Sequence, residues 1–294
     1  MMTLQDFVAQ LLAGLTRAGL LFIVSAGLSL VFGAMRVINL AHGSLYMLGA
    51  FTSFTVVNAI GADIGLFPAV IVSAVATAAV GLLIEVGILR RLYRHEHLLQ
   101  LLATYALVLV INDVARYVWG SQNRSVPRPL GLRGSVEVLD SAFPMYNLFI
   151  ILFALGVGGG LWFLVNRTRL GRDIRAAIVD PEMLGGVGVN VSLVFTTVFV
   201  IGSALAGVAG AVVAPSSAVG LGMDIDILVE AFAVTIIGGL GSIPGALVGA
   251  AIVGLADSFG ILFVPRLTLA VIFLAMAAVL AIRPSGLFGV PERA

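Results

Sequence analysis

Nine apolar stretches follow one another along this chain, at 11–33, 40–60, 68–89, 98–119, 143–165, 193–213, 227–240, 244–262 and 267–282. A bilayer's hydrocarbon layer takes roughly 17–25 apolar residues to cross as a helix, and all but 227–240 approach or exceed that length. Backbone groups in lipid find no partners but one another, so stretches this long predict helices instead of barrel strands. The composition agrees: 60% of residues are hydrophobic and 11% charged, with a mean hydropathy of +1.14, where a soluble domain carries about 25% charged residues. The fold class is all-α, a polytopic helical membrane protein of about eight or nine transmembrane helices. Residues 1–294 read as a single transmembrane domain with no linker or second domain.

Orientation follows from arginines in short connections. Arg36, then Arg90, Arg91 and Arg94, then Arg167, Arg169, Arg172 and Arg175, then Arg283 and Arg293 all fall on one side when the spans alternate, and that side is the cytoplasm. The other side receives Asp63, Glu137, Asp140, Asp224 and Asp226, together with Arg124, Arg128 and Arg133, which weaken the bias. Nine crossings result, with the N-terminus outside and the C-terminus inside; 227–240 is short and is expected either to span or to be re-entrant. MMTLQDFVAQ lacks the basic region and small-residue cleavage site of a secretory signal, so the first stretch is expected to remain as a span. Arg17, inside that stretch, is expected to snorkel to an interface or to mark a later start near Ala18.

Several kinds of chemistry are excluded. Without cysteine there are no disulfides, iron–sulfur clusters or thiol nucleophiles. All 16 basic residues are Arg, so no P-loop lysine exists, and if ATP drives this protein another chain hydrolyses it. His95–Glu96–His97 has a spacing of two where the zincin pattern needs histidines at i and i+4 on one helical face, and no GxSxG nucleophile turn is present, so an intramembrane hydrolase has little support. The other ionisable groups read as lying near span ends: Asp113 and Arg116 as a local i, i+3 pair, Glu85 near the cytoplasmic arginines, Asp257 near the outer face, and Glu230 with Asp224 and Asp226 as an acidic outer rim.

Two segments break the apolar pattern with glycine and polar residues. RVINLAHGSLYM, residues 36–47, carries Asn39, His42, Gly43 and Ser44; IIGGLGSIPGALVGAA, residues 236–251, carries Gly238, Gly239, Gly241, Ser242, Pro244 and Gly245. Interrupted helices in such positions point to a transport pathway, because freed backbone groups can line a hydrated cavity. Tight reversals between hydrophobic hairpins would leave the same pattern. Gly202–Ala206–Gly210 and Gly241–Gly245–Gly249 have the four-residue spacing that lets helix backbones approach closely.

The longest cytoplasmic connection is NRTRLGRDIRAAIVDPEMLGGVGVNVS, residues 166–192. Asp180, Pro181 and Glu182 read as N-cap, N1 and N2, so a short helix is expected from Pro181. A helical turn or two before it would place Arg172 and Arg175 on one face. The arginines alone also suit a purely topological role; length and capping favour a structured contact with a soluble partner.

GLSLVFGAMRVINLAHGSLYMLGAF at 27–51, the 166–192 connection, AVTIIGGLGSIPGALVGAAIVGLADS at 233–258 and RPSGLFG at 283–289 together resemble the membrane permease subunit of branched-chain amino acid ABC importers, the H-type partner of a related M-type permease. The resemblance runs nearly end to end. It implies a multi-pass subunit of the bacterial cytoplasmic (inner) membrane that forms a pathway with a second permease, two cytoplasmic ATPases and an extracytoplasmic solute-binding protein. ATP and Mg would be bound by the ATPase subunits, with no cofactor in this chain. It also implies that 166–192 is the coupling segment, with Arg172, Arg175, Asp180, Pro181, Glu182 and Met183 carrying that role. Gly185–Gly186 departs from the bulkier helix formers of relatives, so the coupling helix is expected to be short or frayed. Asn39, His42, Gly43 and Ser44 match the family's Asn-(apolar)-Ala-His-Gly element, which implies a structured break beside the pathway. The alternatives from other classes are an ion-gradient secondary transporter or channel for small polar solutes, and a membrane-embedded enzyme.

Overall fold

The computed structural model describes residues 4–93, 95–138 and 141–289; Arg94, Asp140 and Arg293, used above for orientation, lie outside the described residues. The chain forms α1 (Leu4–Met35), α2 (Ala41–Ile60), α3 (Leu66–Leu92), α4 (His97–Trp119), a small hairpin of β1 (Ser135–Val138) and β2 (Ser141–Pro144), α5 (Met145–Arg167), α6 (Arg169–Val179), α7 (Pro181–Gly186), α8 (Val191–Val213), α9 (Met223–Gly238), α10 (Ile243–Phe263) and α11 (Thr268–Ile282). Among the described residues, eight helices are long and apolar enough to cross a membrane.

The core is built around α1 and α8. From Ala18 to Val31 every α1 residue is buried, the signature of a helix apolar on all sides and enclosed by neighbours. The small-residue spacing of α8 brings it against three others: Gly202 meets the Gly27 backbone, Gly207 meets the Ser73 backbone, and Gly210 meets the Tyr46 carbonyl. A methyl at any of these glycines would strike a neighbouring helix, so the close approach depends on hydrogen side chains. Helices α4, α5 and α11 lie on the outside with much of their apolar surface exposed, as lipid-facing helices do.

Residue pairs give the directions. Ser25 bonds the Ala231 carbonyl and Gly33 packs on Gly241, so α9 runs parallel to α1. Gly238 packs on Gly245 and Val234 on Gly249, so α10 returns antiparallel, with Gly254 against Gly14 and Ala18. Segment 227–240 therefore takes a crossing's place in the alternation, but its helix has only 16 residues, about 24 Å of rise. Residues 214–222, which precede it, pair with the connection after α4 through Arg124 and Val219.

That connection also explains the arginines that weaken the orientation bias. Arg124 donates to the Trp119 carbonyl and lies over Phe54. Arg128 lies over Tyr146 and Arg133 donates to the Arg128 carbonyl. These guanidiniums are engaged in holding the outer loop.

Three charge placements differ from the expectations above. Arg17 neither snorkels nor marks a helix start: it lies well inside α1 and pairs with Glu230 of α9 at 2.5 Å and Asp257 of α10 at 3.6 Å. Glu230 and Asp224 are buried and form no outer rim, because each has partners inside the bundle that offset its desolvation. Asp113 and Arg116 do face each other at i, i+3, exposed and 3.9 Å apart.

Candidate translocation site

The first break lies between α1 and α2. Arg36 takes a left-handed φ of 53°, which turns the chain out of α1, and residues 36–39 then run without helical structure. They retrace the last turns of α1, because His42 Nε2 meets the Val24 carbonyl at 3.0 Å, eighteen residues back. Helix α2 thus starts inside the bundle, beside the middle of α1. His42 and Ser44 are fully buried and Asn39 is 1% exposed.

The start of α9 meets this break. Gly43 has the Asp224 carbonyl directly against its Cα, in space a side chain would fill. Ser44 Oγ donates to Asp224 Oδ2 at 3.1 Å, and Asn112 Nδ2 of α4 donates to the same oxygen at 2.6 Å. Three helices converge on one carboxylate near the positive end of α2, where a negative charge is favoured. Beside it, Asn123, Gly220, Gly222, Met223 and Asp226 line a cavity of about 420 Å³.

The second break is the turn after α9. Gly239 and Gly241 have φ of 100° and 84°, a conformation glycine adopts at little cost. Ser242 caps α10 by accepting from the Gly245 amide at 3.0 Å, and Pro244 sits in the first turn of α10, where its missing N–H is no loss. The C-terminal segment seals this turn: Leu287 and Phe288 amides donate to the Ile237 and Gly238 carbonyls, both at 2.9 Å. The two breaks therefore bracket α9, the first at its N-terminus and the second at its C-terminus, where Gly241 touches Gly33 of α1.

Residues 166–192 form two helices, the second starting at Pro181 as Asp180, Pro181 and Glu182 predict and the first longer than the turn or two expected. Thr168 caps α6 through the Gly171 amide, and Asp180 caps α7 through the Met183 amide at 2.9 Å, with Pro181 and Glu182 in the first turn. Helix α7 ends at Gly186 after six residues, short as the paired glycines require. Gly171, Ile174, Ala177 and Leu184 are buried against the bundle, where α6 packs on α1, α5 and α8. Arg172, Arg175, Glu182 and Met183 face outward, and Val179, Met183 and Val187 are more than 70% exposed.

Two polar clusters go beyond the sequence reading, which placed Glu85 near the arginines that include Arg90 but assembled neither cluster. Arg17, Glu230 and Asp257 tie α1, α9 and α10 together; one lone charge in each of three apolar stretches was the available signal. The other joins α3 to α8. Residues Glu85–Leu89 form a π-turn, and the fully buried Glu85 carboxylate accepts from Arg90 at 3.0 and 3.2 Å and from the Tyr93 hydroxyl at 2.7 Å. Arg90 also donates to Thr196 Oγ1 at 2.5 Å. Burial first, and then its hydrogen bond to Glu85, raise the Tyr93 phenol well above its ordinary range.

A bundle of this kind, with a broken helix pair at its centre and a capped helical connection between α5 and α8, has the interrupted helices that mark transport pathways. Residues 10–280 match the family described as the permease component of the branched-chain amino acid transport system. The chain belongs to this permease family. It is 30% identical to the high-affinity branched-chain amino acid transport permease BraD of Pseudomonas aeruginosa over 97% of each chain. It is 28% identical to LivH of Escherichia coli over 97% of this chain and 96% of LivH. A shorter stretch, 32% of this chain, is 32% identical to the fructose import permease FrcC of Rhizobium meliloti. Among solved structures, PsaBC from Streptococcus pneumoniae in complex with Fab is similar with a TM-score of 0.48 and 13% identity, over 92% of this chain and 89% of that one. The chain is a multi-pass membrane permease.

Proposed function

We propose that this permease forms half of the pathway of an ATP-driven importer for branched-chain or related amino acids in the bacterial inner membrane. A related M-type permease supplies the other half, two cytoplasmic ATPases bind ATP and Mg, and an extracytoplasmic binding protein delivers solute. This chain's own work is binding and conformational change, without covalent catalysis. The observation that carries the reading is the bracketing of α9 by two helix breaks, Asn39–Ser44 at one end and Gly238–Gly245 at the other, in a chain whose full-length relatives are named for branched-chain amino acid transport.

In the cycle, the outward faces of α6 and α7, with Arg172, Arg175, Asp180, Pro181, Glu182 and Met183, dock into the ATPases. Closure of the ATPases on ATP pushes this segment, and α6 passes the push to α1, α5 and α8, on which it packs. Solute moves because its affinity differs between the two states. A carrier driven by an ion gradient would need a membrane-buried relay. Glu230 is buried and Asp257 half-buried, but both share Arg17, which suits a fixed ion cluster better than a proton path.

Co-purification tests the assembly. Tagged chain expressed with a candidate M-type permease and candidate ATPases is expected to retain the second permease and two ATPases, and Met183→Glu, which places a charge on the exposed apolar face of α7, is expected to release the ATPases alone. Retention of all chains by Met183→Glu, with unchanged ATP hydrolysis, would remove α7 from the docking contact.

A further inference from the structure

Helix α3 changes its winding at the π-turn Glu85–Leu89. A π-turn carries one residue more than the α-helical turn it replaces, and such turns recur at functional sites. Before it, α3 is clamped to α8: Gly81 meets the Ser203 side chain, and Gly207 meets Ser73 and Thr77. The π-turn is the first place beyond this clamp where α3 can change shape. A side chain at Gly87 would meet nothing within 4 Å, so the turn has room on that side.

The cluster beside it depends on this winding. Glu85 and Arg90 are five residues apart, a separation that puts side chains on different faces of an α-helix and that the wider turn brings together. Their contacts at 3.0 and 3.2 Å therefore exist only while the π-turn does. Arg90 also reaches Thr196 of α8 at 2.5 Å, and Tyr93 meets Phe195 edge-on. Thr196 lies in the second turn of α8, which residues 187–190 join to α7. On the other side, Gln100 of α4 donates to the Leu92 carbonyl at 3.0 Å. Further along α4, Thr104 donates to the Ile38 carbonyl of the first break at 3.3 Å, and Asn112 to Asp224 at the start of α9 at 2.6 Å.

We propose that the π-turn of α3 is a two-state switch through which movement of α7 and α8 reaches the first break by way of α4; this rests on the importer reading above. With Thr196 in place, Arg90 holds Glu85 and the turn stays wide. A shift of α8 that withdraws Thr196 leaves Arg90 with Glu85 alone, and the turn winds to α, which rotates the residues after it by about 100°. Leu92 moves with them, and Gln100 passes the movement to α4, which is bonded to both the break and α9. Two discrete windings suit a switch, because packed helices move between defined states.

The test uses the complete importer in proteoliposomes, with uptake of labelled leucine, ATP hydrolysis stimulated by the binding protein and the amount of assembled complex measured together. Deletion of Gly87 removes the extra residue and leaves Arg90 four residues from Glu85, so their contact is kept on an α-helix and the switch is lost. Uptake is expected to fall about tenfold or more while stimulated hydrolysis stays within about twofold, because α6 and α7 are untouched. Wild-type uptake by the deletion variant, or parallel loss of uptake and hydrolysis in complex that is fully assembled, would overturn the proposal. If the deletion variant does not assemble, Thr196 decides. Thr196→Val, which keeps the shape and removes the acceptor, is expected to lower uptake per ATP hydrolysed, and Thr196→Ser to retain it. An unchanged ratio for Thr196→Val, or equal loss in both variants, would overturn it. Wild-type vesicles without ATP-dependent uptake would instead count against the importer reading.

Discussion

Arg17 is the residue on which most of the intramembrane charge balance turns. It faces two carboxylates, Glu230 at 2.5 Å and Asp257 at 3.6 Å, and removing it leaves both in the bundle without a cation. Breaking a buried pair from one side costs about 3–5 kcal/mol. Arg17→Met is therefore expected to lower thermal stability in detergent sharply, and Arg17→Met combined with Glu230→Gln to recover much of it. Equal melting temperatures for wild type and Arg17→Met would show that the cluster contributes nothing. His42 behaves differently. Its ring bonds the Val24 carbonyl, a group that α1 also satisfies, so His42→Ala is expected to cost uptake more than assembled protein. If both fall in proportion, His42 is a packing residue only.

Elements answer to caps and close approaches. Helix α7 has six residues and depends on Asp180 accepting from the Met183 amide; Asp180→Ala is expected to destabilise it by about 1 kcal/mol and to lower stimulated ATP hydrolysis. Gly186 has open space where a Cβ would go and no positive φ, so Gly186→Ala is expected to return about 1 kcal/mol of helix stability and part of the hydrolysis. At the first break the opposite holds. A methyl on Gly43 would strike the Asp224 carbonyl, and Gly43→Ala is expected to cost about 1–3 kcal/mol through overpacking, read as a lower melting temperature and lost uptake. Part of this scale was legible in the sequence, because caps are local: Asp180–Pro181–Glu182 announces its helix, whereas Ser242 and Pro244 were read only as part of a break and prove to cap and start α10. The placement of RVINLAHGSLYM was not. That the chain retraces α1 depends on Arg36 at positive φ and on a bond across eighteen residues, neither of which apolar periodicity encodes.

For the whole molecule, the apolar stretches predicted the helix order and its alternation, since hydrophobic length is additive along the chain. The polar interior was hidden because it is a property of neighbours: Asp224 looked like outer-rim charge until α2 and α4 were placed beside it, and Glu230 until α1 was. What emerges is a permease whose short helix α9 is held at both ends by interrupted segments, with the capped 166–192 connection packed on the same central helix, α1. The central claim is that this chain moves solute only as part of an ATP-driven assembly. The measurement that tests it most directly is labelled leucine uptake into proteoliposomes holding this chain, its partner permease and the ATPases, with internal ATP and external binding protein, each component then omitted in turn. The account predicts uptake with the full set and none when ATP, the ATPases, the partner permease or the binding protein is left out. Uptake by this chain alone, driven by an ion gradient, would contradict it.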